Sequence, residues 1–367
     1  MAKTSFVTSS TKIKVIGLGG AGCNAVTRMV REQIPGVEFI AMNTDAQHLA
    51  VTEAMVRVEL GERITHGLGA GGDHILGRRA AEESRDEIKQ ALAGADMVFI
   101  TAGMGGGTGT GSAPLAAEVA RQSGALTLAM VTKPFGFEGT HRNQVAEEGI
   151  GNLIDKVDTL IIIPNDRLLS LCDHKTSVDN AFRMADEVLC RAVQAIAGVV
   201  TVPGLINLDF ADVRAVMKDA GPAWMSIGRG SGKNRASDAA KNALSSPLLD
   251  VSINGAKGVL INFAGGSDLT LFEINDAAKV IKQAVDPEAN VIFGVVIDPT
   301  IGDEVRLTLI ATGFGIKMAP GDVSRGKETT RFLKGLDSEA QLDVPSFLRQ
   351  RRGLPGQQSH PPSPRRN

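Results

Sequence analysis

The feature that most constrains this chain is the stretch TAGMGGGTGTGSAP, Thr101 to Pro114, in which six of the nine residues from Gly103 to Gly111 are glycine. An apolar run, ADMVFI, precedes it and a helical pattern, LAAEVARQ, follows it. An ordered glycine costs roughly 0.5–1 kcal/mol more than alanine in regular structure. Six at one strand-to-helix junction make sense where backbone must come close to something. An anion resting on a helix N-terminus fits, because bare N–H groups and the helix dipole both favour negative charge. Thr108 and Thr110 add hydroxyl donors among the glycines. A flexible turn is the plain alternative, but it does not account for Gly and Thr alternating directly before a helix.

Two further glycine loops follow earlier strand patterns. GLGGAG, Gly17 to Gly22, is a literal G-x-G-x-x-G between a strand and a helix, and GLGAGGD spans Gly67 to Asp73. The first is the dinucleotide-binding fingerprint, and Asp45 falls roughly where a ribose-binding acid belongs. Asp45 lies in NTD, however, past the end of the second strand pattern. A parallel sheet puts all such loops on the C-terminal edge of its strands. Several backbone cradles there fit a polyphosphate better than the single pyrophosphate of a dinucleotide. GRGSGKN, Gly228 to Asn234, is not a Walker loop, since it lacks the first glycine and has Asn234 where a Mg²⁺-binding Ser or Thr belongs.

Strand and helix patterns alternate through the first half, which predicts an α/β fold with a parallel, Rossmann-like sheet over residues 12–176. Residues 177–202 read as one long helix, with Ser177 or Thr176 as N-cap and Phe182, Ala185, Leu189, Val193 and Ile196 as its apolar stripe. Pro203 and Gly204 then break the chain. Residues 203–317 read as a smaller α+β domain with helices at Phe210–Lys218 and Ala236–Leu244 and strands at KGVLINFAGG, NVIFGVVID and EVRLTLIATGF. GRRAAEESRDEIKQALAG reads as a single polar-faced helix. Residues 1–11 are expected to be loose, 318–341 a polar linker, 342–352 a short amphipathic island and 353–367 a disordered tail.

Composition narrows the function classes. Aromatics make up 4%, with one Trp and no Tyr, which argues against a stacking platform for single-stranded nucleic acid. A net charge of −2 gives no basic footprint for DNA or RNA. The balance is uneven: Arg349 to Asn367 hold five Arg and no acid, leaving 34 basic against 41 acidic residues, about −7, in the rest. Cys23, Cys172 and Cys190 form no CxxC pair, so neither a disulfide framework nor a zinc site is expected. No run approaches the ~20 apolar residues of a membrane span, and the start lacks a signal-type apolar core, so a reduced cytoplasm is expected.

GGGTGTGSAP resembles the tubulin signature loop, and the chain resembles the FtsZ family of tubulin-like bacterial cell-division GTPases. The resemblance runs from about Lys12 to Gly315 and resumes at the C-terminal island. It includes GLGGAGCNAV, NTDAQHL, GLGAGGD, KPFGFEG, IPNDRLL, NLDFADV, SSPLL and IATGF in order. It implies a GTP-binding domain, a central helix and a C-terminal domain carrying the hydrolysis loop. It also implies a protein that binds GTP or GDP with Mg²⁺ and assembles head to tail into protofilaments at the mid-cell ring.

By this resemblance the phosphates are surrounded by Gly19, Gly20, Ala21, Gly22, Cys23 and Asn24, by Ala70, Gly71 and Gly72, and by Gly103, Gly105, Gly106, Gly107, Thr108 and Gly109. Thr132, Pro134, Glu138 and Arg142 line the ribose and phosphate side. Asn165 and Asp186 read the guanine edge, with Phe182 against its face. The i,i+4 spacing of Phe182 and Asp186 puts them on one helix face, and a carboxylate can accept from guanine N1–H and N2–H together. Taken alone, Phe182 fits core packing and Asp186 a solvated face as well. Asn207, Asp209 and Asp212 are the implied hydrolytic residues, inserted into the next subunit's site, although Asp209 also has the place of an N-cap. Mg²⁺ is expected on the phosphates, largely water-coordinated, with no metal-ligand cluster in the chain.

Val344, Pro345, Phe347, Leu348 and Arg349, next to Arg351 and Arg352, resemble the family's peptide for membrane-tethering and regulatory division proteins. The linker before it reaches roughly 25–30 Å as a flexible coil. Two departures stand out. Asp73-His74 replaces the family's usual Asn-Pro and would bring a charge near the γ-phosphate, and IGRGSGKN replaces a small-residue and acidic stretch. Two other readings remain: an NAD-dependent dehydrogenase using Gly17 to Gly22, and a tubulin-like scaffold that binds nucleotide without hydrolysing it.

Overall fold

The structure is a computed structural model; it describes residues 11–170, 172, 175–201, 209–248, 253, 255–298 and 301–314. Asn207, Pro203 and Gly204, the linker, the island with Val344 to Arg349, and the tail lie outside the described residues.

The first half alternates as expected. Strand β1 (Ile13–Leu18) leads into helix α1 (Gly19–Arg31), then β2 (Val37–Asn43), α2 (Ala46–Val51), β3 (Val56–Glu59) and the short α3 (Glu62–Thr65). Helices α4 (His74–Glu83) and α5 (Arg85–Leu92) precede β4 (Met97–Gly103), α6 (Thr108–Gln122) and β5 (Leu126–Lys133). A 3₁₀ turn (Gly136–Glu138), α7 (Thr140–Ile154), β6 (Thr159–Pro164) and α8 (Asn165–Leu169) complete it. The long helix is α9 (Val178–Thr201), and Ser177 caps it, its Oγ accepting from Asn180 N at 3.3 Å.

The single polar-faced helix expected after the third loop is two helices broken at Ser84. Its hydroxyl accepts from Gly61 N at 3.0 Å and donates to Glu59 O at 3.3 Å. Ser84 thus ties the helix break to the turn after β3, a long-range bond that local periodicity does not contain.

The second half contributes α10 (Phe210–Met217), β7 (Gly221–Gly230), α11 (Arg235–Leu244), β8 (Gly258–Gly265), α12 (Leu271–Lys282), β9 (Asn290–Ile297) and β10 (Val305–Thr312). β7 is absent from the sequence reading, because Gly221 and Pro222 punctuate its start and glycines its end. It is nevertheless the strand that joins the halves. The ten strands of the described residues form one sheet in the order β3-β2-β1-β4-β5-β6-β7-β10-β8-β9. The pairs from β3 to β7 are parallel, β10 is antiparallel to both β7 and β8, and β8 pairs parallel with β9.

One apolar core runs under both halves. α1, α9 and α10 pack Val26, Met29, Leu189, Val193, Ile196 and Met217 onto Val15 and Leu128 of the first half and onto Met225, Leu260 and Ile310 of the second. At 1.5 Å per residue α9 is about 36 Å long, enough to cross several strands. The apolar stripe drawn from the sequence is buried at Ala185, Leu189, Val193 and Ile196, but Phe182 is 40% exposed. A second cluster packs α11 and α12 against β8 and β10 through Ala239, Ala243, Ile274, Ile281, Phe263 and Leu309.

Candidate functional site

β1 and β4 are neighbours at the centre of the parallel sheet, in register with Leu18 beside Ala102. The order β3-β2-β1-β4-β5-β6 reverses direction between them, and such a switch point is where open α/β sheets bind ligands. Both strands run straight into helices, so the N-termini of α1 and α6 open side by side. The first N–H groups of each helix have no partner within the helix. Two positive helix ends thereby share one edge.

The glycines are what allow this crowding. Gly19 has φ +68°, and a Cβ there would lie 2.8 Å from Gly109 N. Gly105 has φ +97°, and a Cβ would lie 2.7 Å from Arg142 O. No other residue fits those two positions without displacing backbone. Hydrogen bonds then fix the loop: Gly105 N donates to Thr110 Oγ1 at 2.9 Å, Met104 N donates to the backbone Thr132 O at 2.9 Å, and the hydroxyls of Thr108 and Thr44 bond at 2.6 Å. At Gly20 and Gly106, by contrast, a Cβ would meet nothing within 4 Å. These bare positions face the open space of a cleft of about 440 Å³.

Most of the residues named from the sequence converge on this cleft. Gly19, Gly20, Ala21 and Asn24 line one wall; Gly103, Gly106, Gly107, Thr108 and Gly109 line the next. Thr132, Pro134, Glu138 and Arg142 form a third side, and Asn165, Phe182 and Asp186 the far end. Leu18, Met104 and Ala185 also line it and were not named as site residues, Ala185 having been read as part of the apolar stripe of the long helix. Ala185 had a legible signal, lying three residues after Phe182 on the same helix face.

Others stand elsewhere. Cys23 faces the core, not the cleft: its buried thiol donates to Gly17 O and Met42 O, and burial pushes it up to about 12. Gly22 is buried, and a Cβ there would lie 2.5 Å from Thr101 O, so it serves the close crossing of α1 over the sheet. Ala70 backs Gly107 from behind, while Gly71 and Gly72 are exposed and outside the cleft lining. Asp73 accepts from Ile75 N and Leu76 N as the N-cap of α4, so its charge is engaged on that helix. Asp45 likewise caps α2, accepting from His48 N at 3.0 Å, and is absent from the cleft lining. The dinucleotide reading thus loses its ribose acid.

The two ends of the cleft differ chemically. At the end nearer the helix N-termini, Glu138 is committed, its Oε1 accepting from Phe135 N at 2.8 Å and its other oxygen paired with Arg142. Asn24 is held by His48, whose Nε2 lies 3.1 Å from Asn24 Oδ1 while Nδ1 lies 3.4 Å from Asn43 Nδ2. A neutral His48 protonated on Nε2 satisfies both contacts. At the far end, Phe182 meets Phe135 edge-on with centroids 5.3 Å apart, and Phe135 stacks on Phe137 at 5.0 Å. This fixes the ring of Phe182 while part of it stays open. The Oδ1 of Asn165 is buried with no hydrogen-bond partner. Burial raises the Asp186 carboxyl from 3.8 to about 7, offset in part by the charge of Arg28. An orphaned carbonyl oxygen and a desolvated carboxylate are two acceptors awaiting donors, and a guanine edge presents them.

Asp209 caps α10, its Oδ1 accepting from Asp212 N at 3.0 Å, and both residues are exposed and outside the cleft lining. Among the described residues no group of three or more His, Cys, Asp and Glu is gathered for a metal, and no helix is long and apolar enough to cross a membrane.

Twin helix N-termini at the switch point of a parallel sheet, with two acceptors lacking donors at the far end, define an α/β protein with a cleft suited to a nucleotide. Residues 12–173 match the model of the tubulin/FtsZ family GTPase domain, and residues 221–315 that of the FtsZ family C-terminal domain. An FtsZ dimer structure from M. jannaschii is 44% identical over 86% of this chain and 95% of its own, with a TM-score of 0.81. A mutant FtsZ of the same organism is 47% identical over 83% of this chain and 91% of its own, also at 0.81. CetZ2 from Haloferax volcanii shares the fold at 19% identity, covering 90% of this chain and all of that one, with a TM-score of 0.72. The chain belongs to the tubulin/FtsZ family of GTP-binding, tubulin-like cytoskeletal and cell-division GTPases.

Proposed function

We propose that this chain hydrolyses GTP only when a second copy completes its cleft, and that the reaction times the turnover of head-to-tail filaments in the division ring. The observation that carries this reading is where the carboxylates stand. The cleft lining contains two, Glu138 and Asp186; the first is engaged and the second sits at the base end. Neither is placed to orient water at a γ-phosphate. The exposed carboxylates that suit that role are Asp212 and Asp209 at the start of α10, Asp209 with one oxygen on the helix cap, and Asn207 comes just before them.

In this reading the amides of α1 and α6 cradle the phosphates and carry charge as it develops. Arg142 and Glu138 hold the ribose and phosphate side, Asn165 and Asp186 accept from the guanine edge, and Phe182 lies on its face. Gly71 and Gly72 close the rim. No cluster of described side chains is gathered to hold a metal, so a Mg²⁺ arriving with the nucleotide would be held largely by the nucleotide and water and would supply positive charge to the phosphates. The incoming Asp212 and Asp209 orient and polarise a water that attacks the γ-phosphorus. The bond to the β–γ bridging oxygen breaks, leaving GDP and phosphate. The island around Val344, Pro345, Phe347, Leu348 and Arg349 tethers filaments to membrane-bound partners at mid-cell, so membrane contact is indirect.

Asp212→Asn tests the shared site: GTP binding should persist while turnover collapses. Turnover that survives at polymerising concentrations refutes it. A GTPase rate and light scattering that rise above the same protein concentration support assembly-coupled hydrolysis; a rate linear through the origin speaks against it.

A further inference from the structure

β7 and β10 run antiparallel with Arg229 directly opposite Arg306. Like charges facing each other across two strands repel. A third guanidinium, Arg191 of α9, adds its field to the pair, and Arg306 is held below its ordinary value by burial first and then by the charges of Arg191 and Arg229. All three line one pocket of about 360 Å³ between α9 and these strands.

Among the described residues the carboxylates near this charge form ion pairs longer than a hydrogen bond, while Arg191 Nη1 donates to Gln194 Oε1 at 2.8 Å. Arg191 lies 3.6 Å from Glu187 and 3.9 Å from Glu32; Glu304 lies 3.9 Å from Arg306 and 4.0 Å from Arg229. These separations are too long for hydrogen bonds. Asp298 also acts on Arg306, again through its field. Only Glu187 among these acids lines the pocket. The Nε atoms of both Arg191 and Arg306 are buried with no acceptor, although buried charged donors are ordinarily bonded. The remaining walls are apolar, built from Leu168, Met184, Val188, Ile227 and Leu248.

We propose that this pocket binds a small organic anion, a carboxylate carried on an apolar body, between Arg191, Arg229 and Arg306. A planar carboxylate accepts two N–H groups from a guanidinium in fork geometry, and it would relieve the repulsion across the strand pair. The apolar walls take the body, and the volume falls at the lower end of the range for ligand pockets. The site is distinct from the nucleotide cleft and holds whether or not the proposed function does. On α9 it uses Met184, Glu187, Val188 and Arg191, whereas the cleft uses Phe182, Ala185 and Asp186.

The test is calorimetric titration of the full chain with 4-phenylbutyrate, with 4-phenylbutyramide and inorganic phosphate as comparison probes. The acid should bind saturably, one per chain, and raise the melting temperature. The neutral amide and the bare phosphate should each bind about tenfold or more weakly. Arg229→Gln, at an exposed position, and Arg306→Gln should weaken the acid by about tenfold or more without changing GTP affinity. Should Arg306→Gln not fold, Arg229→Gln alone decides. Absence of saturable binding, an amide or phosphate as tight as the acid, or unchanged affinity in Arg229→Gln overturns the proposal.

Discussion

Asp186 offers a test of the base end of the cleft that reads both stability and binding. Its carboxyl titrates at about 7 in the fold instead of 3.8, because burial disfavours the ion and Arg28 compensates only in part. That difference corresponds to about 4 kcal/mol. Between the two values the folded chain keeps a proton that the unfolded chain has released. Stability contributed at this site therefore falls as pH rises through that window and levels off above about 7. Asp186→Asn carries no titrating group, so it provides the reference. Urea unfolding of nucleotide-free protein should show the wild type losing about 2–3 kcal/mol relative to Asp186→Asn between about pH 5 and about pH 8. Guanine binding needs the ionised form, so wild-type GTP affinity should weaken about tenfold from about pH 8 to about pH 6. Asp186→Asn should bind GTP poorly at both. A stability gap that does not move with pH, or a wild-type affinity flat from about pH 6 to about pH 8, refutes the assignment.

Gly19→Ala should destabilise the fold by at least about 1–2 kcal/mol and abolish nucleotide binding, since it forces a left-handed φ and a clash with Gly109. Melting temperature and fluorescent-GTP titration check this. Asp209→Asn keeps a competent N-cap, so stability should hold while turnover falls; Asp209→Ala should lose about 1 kcal/mol as well. Ser84→Ala leaves Gly61 N without its acceptor and should cost about 1–3 kcal/mol in urea unfolding. Asp73→Asn should leave GTP affinity within about twofold, because the carboxylate serves the N-cap of α4.

What could be read from the chain follows physical range. The strand–glycine–helix junctions at Gly19 and Thr108 are local, and so were legible as junctions. The i,i+4 spacing put Phe182 and Asp186 on one helix face, but only the resemblance pointed to them as site residues; both line the cleft. The direction of Cys23 was not, because a motif names backbone positions and leaves open which side chains turn inward. The burial of Asn165 Oδ1 away from protein donors arises only from tertiary packing. Ser84 and β7 were missed for related reasons: a partner 23 residues away in one case, and turn-type residues flanking a buried strand in the other.

The seam between β6 and β7 has a mechanical consequence. It consists of three residue pairs, Thr159 with Gly221, Leu160 with Pro222 and Ile161 with Ala223, whereas β10 matches β7 over eight. Pro222 has no N–H to give, so this line carries fewer ties than its neighbours. If the chain assembles as proposed, load along a filament would make the sheet yield here first, swinging as two leaves on a pin formed by α9. Tension could then reach the base end of the cleft through Phe182 and Asp186, which ride on that pin.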